Sequence, residues 1–148
     1  MDLKELFYEV VRLEIELWNA VEDRLKSELD LPLTHYEPMS VMDRIEGCRV
    51  YDIANELVIT TGGASKLVDR IEENGFCRRR PNPNDRRSSL VQLTPAGRKL
   101  LVKARAVVDD ELENRLGGAV SARALEEFGS TLGQLLTAAR RADTDKSA

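Results

Sequence analysis

Histidine and cysteine are scarce in this sequence. Among 148 residues there is one histidine, His35, and there are two cysteines, Cys48 and Cys77. Two cysteines are too few for a disulfide scaffold, and their spacing does not match a metal site. A single histidine without cysteine or carboxylate neighbours is a poor catalytic or metal-binding candidate. We therefore expect no catalytic centre, no metal and no cofactor, and His35 is either structural or a contact to a small ligand.

Long apolar runs are also missing. No run approaches the ~20 residues that a membrane-spanning helix needs. The N-terminus does not combine a basic region with an apolar core, as a signal peptide does. We therefore expect a cytoplasmic protein without a membrane partner. Its 42% hydrophobic and 32% charged residues are ordinary for a helix-rich chain. The length suits one domain, or one domain with an attached arm, with a core of its own.

The net charge of −4 conceals a basic segment. Between Thr60 and Arg105 there are 11 Lys and Arg residues against 4 Asp and Glu, a local charge of +7. The rest of the chain has 11 basic against 22 acidic residues, a charge of −11. Because a polyanion responds to a local patch and not to the charge of a whole chain, the basic segment predicts a contact with nucleic acid.

Residues from Asp2 to about Glu28 predict one long helix with a wide apolar surface. Two apolar stripes run side by side at helical spacing. The first is Leu3, Leu6, Phe7, Val10, Leu13, Leu17, Val21 and Leu25, and the second is Val11, Ile15 and Trp18. Such a helix is either sunk into its own domain or shared with a partner chain, and this segment alone leaves both possibilities open.

The middle of the chain predicts a helix-turn-helix. A helix capped by the Thr34 hydroxyl, with Glu37 completing a capping box, leads into it. A brief helix over residues 52–57, a turn over 58–60 and a second helix that stops at Gly75 follow. The second helix leaves polar residues on its exposed face, which is typical of a helix that reads DNA.

Arginines cluster on a predicted β-hairpin after this helix. Arg78–Arg80 and Arg86–Arg87 flank a turn rich in Pro, Asn and Asp. The planar guanidinium group suits phosphate, and a narrow minor groove attracts it. Asp85 would be repelled by phosphate, so we expect it to pair with a nearby arginine and fix its direction.

Two further helices are predicted after the hairpin. Thr94–Pro95 is a strong helix start, and that helix should run to about Leu116, before Gly117. Ser121 caps a last helix with apolar residues at coiled-coil spacing, followed by a polar tail over 142–148. Because the helices at both ends carry surplus apolar surface, we expect them to form a dimer arm against a second copy.

Four runs of the sequence carry a family resemblance. They are Asp52–Ala54, Ser65–Phe76, Asn84–Ser88 and Leu93–Gly97. Together they closely resemble the MarR family of winged-helix regulators, over a core from about residue 54 to 101. The combination of Asp-x-Arg in the wing with Leu-Thr-x-x-Gly after it is specific, whereas a helix-turn-helix alone would not be.

The resemblance implies an obligate homodimer, interlocked through its first and last helices, on a pseudo-palindromic site in double-stranded DNA. By position, Thr61 to Lys66 would open the recognition helix in the major groove, where Ser65 and Lys66 would meet bases. Gly62 and Gly63 either let the backbone approach DNA closely or only loosen the first turn.

The resemblance also assigns roles outside the start of this helix. Arg70 would reach phosphate, and Arg87, next to Arg86, would enter the minor groove with Asp85 orienting it. Many family members bind small aromatic effectors and then release DNA. By layout, such an effector would lie near Trp18, His35 and Tyr36.

These patterns predict a mainly α protein with a small β-hairpin wing. The winged helix-turn-helix lobe spans 34–101, and dimerisation helices span 1–30 and 95–141, within a single chain of 1–148. The predicted function is that of a sequence-specific DNA-binding transcriptional regulator. We expect a repressor that a small molecule releases from DNA. The alternative is a protein-interaction module that uses its basic hairpin on an acidic partner; we expect no enzyme.

Overall fold

A computed structural model describes residues 1–146 of the protein. They form six α-helices, one π-helical turn and one two-stranded antiparallel sheet. The elements are α1 (Leu3–Leu29), α2 (Leu33–Arg44), α3 (Val50–Leu57), α4 (Thr61–Glu73), β1 (Cys77–Pro81), β2 (Ser89–Leu93), α5 (Pro95–Leu112) and α6 (Ala122–Lys146). The predicted fold class, mainly helical with a β-hairpin wing, is confirmed. The chain divides into two units, residues 1–111 and a second that begins at Leu112.

The start of α2 differs from the predicted cap. The helix begins at Leu33, so Thr34 lies inside it, and the preceding Pro32 supplies no side-chain hydrogen bond. The carboxylate of Glu22 on α1 instead accepts a hydrogen bond from the Leu33 amide at 2.8 Å. The prediction of a Thr34–Glu37 capping box was therefore wrong, because a residue of another helix satisfies the first orphan amide.

Helices α2, α3 and α4 pack around the core of the first unit. Met39 of α2, Ile53 of α3, and Val68 and Ile71 of α4 have at most 1% of their surface exposed. The α3–α4 turn contains Val58 in the left-handed conformation, with φ 55° and ψ 47°. The predicted helix-turn-helix is thus present, held by apolar residues on the inner face of each helix.

The two strands of the hairpin, β1 and β2, pair in a regular antiparallel register. Cys77 lies opposite Leu93, Arg79 opposite Val91 and Pro81 opposite Ser89. Cys77, Val91 and Leu93 are buried, so the hairpin is anchored at its base and exposed towards its tip. A single bridge to Arg49 adds a third short segment beside β2.

The start of α5 is tied to the segment that directly follows α4. The Thr94 hydroxyl donates to the Gly75 carbonyl at 2.6 Å, and the Thr94 amide donates to the Phe76 carbonyl at 3.0 Å. The same hydroxyl accepts from the Gly97 amide at 3.0 Å and caps the helix. The Leu-Thr-x-x-Gly run therefore fixes the hairpin between α4 and α5.

The second unit ends in a long exposed helix. A π-helical turn over Glu113–Gly117 precedes it, and the Ser121 hydroxyl accepts from the Ala124 amide at 3.2 Å, as the sequence predicts for its cap. Helix α6 continues to Lys146, five residues beyond the predicted end at 141. The last two residues of the predicted polar tail, 147 and 148, lie outside the described residues.

Candidate nucleic-acid interface

The recognition helix α4 begins as the sequence predicts. The Thr60 hydroxyl accepts from the Gly63 amide at 3.0 Å and caps the helix. Thr61, Gly62, Lys66 and Arg70 are exposed, whereas Gly63 and Ser65 are half-buried. The predicted base-reading residues therefore lie on the first two turns, where a helix inserted into the major groove makes its base contacts.

The two glycines of α4 differ in their surroundings. A Cβ at Gly62 would meet no atom within 4 Å, whereas a Cβ at Gly63 would lie 3.1 Å from the capping oxygen of Thr60. The Gly63 position is therefore tight because of the cap. The open space at Gly62 leaves its backbone exposed at the start of the helix, which is compatible with a close approach to DNA, one of the two alternatives for these glycines.

Arg79 of β1 binds to α4 through ion pairs and hydrogen bonds. Its guanidinium group lies 2.7 Å from the Asp69 carboxylate and 3.3 Å from that of Glu72. Its Nη2 donates to the Ser65 carbonyl and hydroxyl oxygens, each at 3.3 Å, and its backbone amide donates to Glu72 at 2.7 Å. The arginines of this run are therefore not all available for another partner, because the charge of Arg79 is paired with carboxylates of α4.

The wing tip carries the predicted aspartate–arginine pair in a different form. The Asp85 carboxylate accepts from the Arg87 backbone amide at 2.9 Å. The side chains of Asp85, Arg86 and Arg87 are all exposed. Asp85 thus contacts Arg87 through its backbone and fixes the turn, and no ion pair of Arg86 or Arg87 is present among residues 1–146. Orientation of an arginine side chain by Asp85 stays a prediction.

Hydrogen bonds within the turn hold the tip in shape. The Asn82 side chain donates to the Ser88 hydroxyl at 3.0 Å, and its oxygen accepts from the Asn84 amide at 3.0 Å. Asx turns of this kind close a loop without a strand pair. The exposed arginines therefore extend from an ordered loop, which reduces the entropy lost when they bind.

Arg49 joins the candidate interface although its sequence position gave no sign of it. It precedes α3, forms the bridge to Leu90 and lies over the ring of Tyr51, with 5.6 Å to the ring centroid. The Asp52 carboxylate accepts from its amide at 2.9 Å and holds its guanidinium group at 3.4 Å. Asp52 and the more distant Asp85 both raise the pKa of Arg49. Only the pairing of residue 49 with β2 brings this cation next to the wing.

The predicted effector residues are half-buried in the first unit. His35 and Tyr36 lie on α2, and Trp18 lies on α1. Burial, together with the positive charge of Arg70, lowers the pKa of His35, and Glu22 acts in the opposite direction. Burial raises the pKa of Tyr36, which Arg105 partly offsets. The grouping of these three residues around one ligand stays a prediction.

The two cysteines are core residues. Cys48 and Cys77 have 1% and 2% of their surface exposed. Burial raises the pKa of Cys48 to about 11 and that of Cys77 to about 12. Both thiols are therefore protonated near neutral pH, and both side chains pack as small core residues.

Residues 1–146 contain neither a cluster of metal-binding side chains nor a helix suited to a membrane. In this part of the chain, no group of three or more His, Cys, Asp and Glu residues is arranged to hold a metal ion. None of the described helices is both long and apolar enough to cross a membrane.

Comparison with known proteins places this arrangement in a family. The MarR family model matches residues 31–89. The multiple antibiotic resistance protein MarR of Salmonella typhimurium is 34% identical over 100 residues, which are 63% of this chain and 69% of that protein. The chain belongs to the MarR family. As a member of this family of transcriptional regulators, it is a DNA-binding regulator.

Two solved structures show the same fold with different ligands. The transcriptional repressor CouR bound to a 23-mer DNA duplex is 25% identical, with a TM-score of 0.82 over 90% of this chain and 94% of CouR. CouR from Rhodococcus jostii RHA1 bound to p-coumaroyl-CoA is 24% identical, with a TM-score of 0.80 over 88% of this chain and 90% of CouR. The likeness extends well beyond the matched winged-helix core.

Proposed function

We propose that this MarR-family chain is a homodimeric repressor that binds a pseudo-palindromic operator and is released by a small aromatic effector. The observation that carries the proposal is the joining of α4 to a wing with free arginines. Lys66 and Arg70 are exposed on α4, and Arg86 and Arg87 are exposed at the wing tip. Two adjacent elements thus offer cations to one polyanion, one through a helix and one through a loop.

Each element has its own part in the proposed complex. Ser65 and Lys66 contact base edges in the major groove. Thr61, Gly62 and Gly63 lie at the start of the helix, where its backbone comes close to the DNA. Arg70 contacts phosphate. Arg86 and Arg87 follow the minor groove, and Asp85 holds the loop that carries them. Base edges in the major groove supply sequence information, and the groove width adds shape information.

The terminal helices supply the argument for a dimer. In α1, Leu3 is 76% exposed, Phe7 63% and Tyr8 59%. In α6, Leu135 is 54% exposed and Leu136 61%, and the described helix has no buried residue. Apolar surface of this extent favours a partner, and a second copy explains why both ends of the chain carry it. We therefore assign residues 1–30 and 95–141 to dimerisation and 34–101 to the DNA-binding lobe.

Effector control is proposed from the half-buried trio on α1 and α2. Trp18, His35 and Tyr36 offer aromatic surface together with polar atoms, which is the composition of many small-molecule sites. In the proposed dimer the two recognition helices stand ~34 Å apart, one turn of B-DNA. A ligand that alters this spacing lowers the affinity for the operator. CouR, solved both with DNA and with p-coumaroyl-CoA, supports this choice.

We further propose that the protein acts in the cytoplasm, where it meets chromosomal DNA, and that it performs no enzymatic reaction. Binding and release of DNA account for the residues described above. Neither step requires a nucleophile, a metal ion or a cofactor.

The test is selection of bound fragments from random genomic DNA, followed by titration of the selected site at several salt concentrations. We expect the logarithm of the association constant to fall linearly with the logarithm of salt concentration, by about 0.9 for each phosphate contacted. A flat response would contradict the proposal and would favour an acidic protein as the partner of the wing. Sedimentation that shows a folded monomer at micromolar concentration would contradict the dimer.

A further inference from the structure

Arg79 stands apart from the other arginines of the hairpin. Arg78 and Arg80, its neighbours on β1, are exposed, whereas Arg79 is half-buried against α4. Its Nη1 lies 2.7 Å from Asp69 and 3.3 Å from Glu72, which satisfies its charge. A cation paired with two carboxylates has little attraction left for phosphate. Arg79 therefore acts on the recognition helix and not on the DNA.

The pairing also changes what α4 presents. Asp69 is exposed on the helix and would by itself repel the phosphate backbone. The ion pair with Arg79 offsets that charge. The other nitrogen of the guanidinium group, Nη2, reaches Ser65 one turn earlier on the same helix. A planar fork allows one side chain to hold both positions, which a lysine cannot do.

The contact with Ser65 occupies one acceptor position of its hydroxyl group and leaves the hydroxyl proton to be donated elsewhere. A serine hydroxyl has one proton to donate and two lone pairs to accept with. Here Nη2 donates to Oγ at 3.3 Å and also to the Ser65 carbonyl oxygen at 3.3 Å. With Oγ accepting from Arg79, the hydroxyl proton turns away from the guanidinium group. Ser65 then offers a donor to whatever lies against the helix.

We propose that Arg79 is a positioning residue for sequence recognition, which sets Ser65 as a hydrogen-bond donor toward an acceptor atom on a base edge. In the major groove such acceptors are N7 of a purine, O6 of guanine and O4 of thymine, whereas the amino groups of adenine and cytosine are donors. The inference rests on the proposed function, in which Ser65 faces the major groove. The inference adds to that function a residue, Arg79, that does not contact DNA itself. It also predicts that the base contacted by Ser65 presents a hydrogen-bond acceptor.

The test uses the full-length protein and a DNA site selected by the wild type from a random library. Binding is measured by competition against every single base-pair change of that site. Arg79→Gln and Ser65→Ala should both reduce the preference for one base pair over the others, at the same position of the site, by about tenfold. This is the size expected when one hydrogen bond that distinguishes the bases is lost. The double variant should lose no more than either single variant, because both act through one hydroxyl.

Two further variants separate positioning from folding and from charge. Arg79→Lys keeps a cation beside Asp69 and Glu72 and should fold, yet it should flatten the same position because it lacks the fork. Arg80→Gln removes an exposed charge from the same strand and should weaken binding to all sequences alike, with the preference intact. Urea unfolding of each variant confirms that binding is measured on folded protein.

The outcomes are distinguishable. An unchanged preference in Arg79→Lys, or a uniform loss of affinity in Arg79→Gln without flattening, would overturn the inference. Additive losses in the double variant would overturn it as well. A wild type that binds all sequences equally would instead contradict the proposed function.

Discussion

Gly97 lies directly against the backbone carbonyl group of Phe76, so that a Cβ at residue 97 would overlap it. This contact brings the first turn of α5 onto the link between the recognition helix and the hairpin. Thr94 hydrogen-bonds the backbone of the same link at Gly75 and Phe76. The wing is therefore positioned through close backbone packing, which a larger residue at 97 would push apart.

Gly97→Ala is expected to destabilise the protein by about 1–3 kcal/mol, because the methyl group meets backbone that has little room to move. Urea unfolding gives the free energy. Gly62→Ala is the matched control: its Cβ enters open space in a helix, and it should raise stability by about 0.4–1 kcal/mol. Equal effects of the two substitutions would show that the Phe76 contact does not limit residue 97.

Val58→Gly is expected to stabilise the fold by about 1 kcal/mol. Val58 ends α3 in the left-handed conformation, which costs a β-branched residue energy and suits glycine. Its side chain is 81% exposed, so little buried contact is lost. Val58→Ala keeps a Cβ in the strained position and should gain less. Thermal unfolding measures both, and a Gly variant no more stable than the Ala variant would refute the strain argument.

Arg87→Ala is expected to lower operator affinity about tenfold, or ~1.4 kcal/mol, and to reduce the salt dependence of binding by about one phosphate contact. Its backbone amide still satisfies Asp85, so the loop and the dimer should persist. Lys146→Ala, which removes an exposed cation outside the regions assigned to DNA binding and dimerisation, is the control for charge alone. Fluorescence anisotropy at several salt concentrations measures the affinity of both variants. Equal losses of affinity in the two variants would contradict a specific contact between Arg87 and DNA.

His35 should make stability fall with acid. Burial and Arg70 lower its pKa, so the unfolded chain, with a pKa of about 6.5, binds the proton more readily. The free energy of unfolding should therefore decrease as pH drops below about 6.5 and level off below the folded-state pKa. Urea unfolding from about pH 7.5 to about pH 5 measures this for wild type and His35→Gln. Identical pH profiles would contradict the prediction, since other titrating groups cancel in the difference.

The order of elements was readable from local patterns. The Pro95 start of α5 and the Ser121 cap of α6 depend on groups within a few residues of one another, so the sequence predicts them directly. Apolar spacing likewise predicts α1, and the Pro-Asn-Asp turn predicts the hairpin. The exposed recognition residues Lys66 and Arg70 follow from the same periodicity.

Only the tertiary structure decided which charged groups are free. Five arginines in the hairpin are alike in sequence, yet Arg79 is held by Asp69, Glu72 and Ser65. Glu22 caps α2 across 11 residues, and the bridge from Arg49 to Leu90 brings a distant cation to the wing. Local patterns specify helices and turns because their hydrogen bonds close nearby along the chain. Partners far apart in sequence are fixed by packing, and packing therefore decides which side chains remain available for DNA.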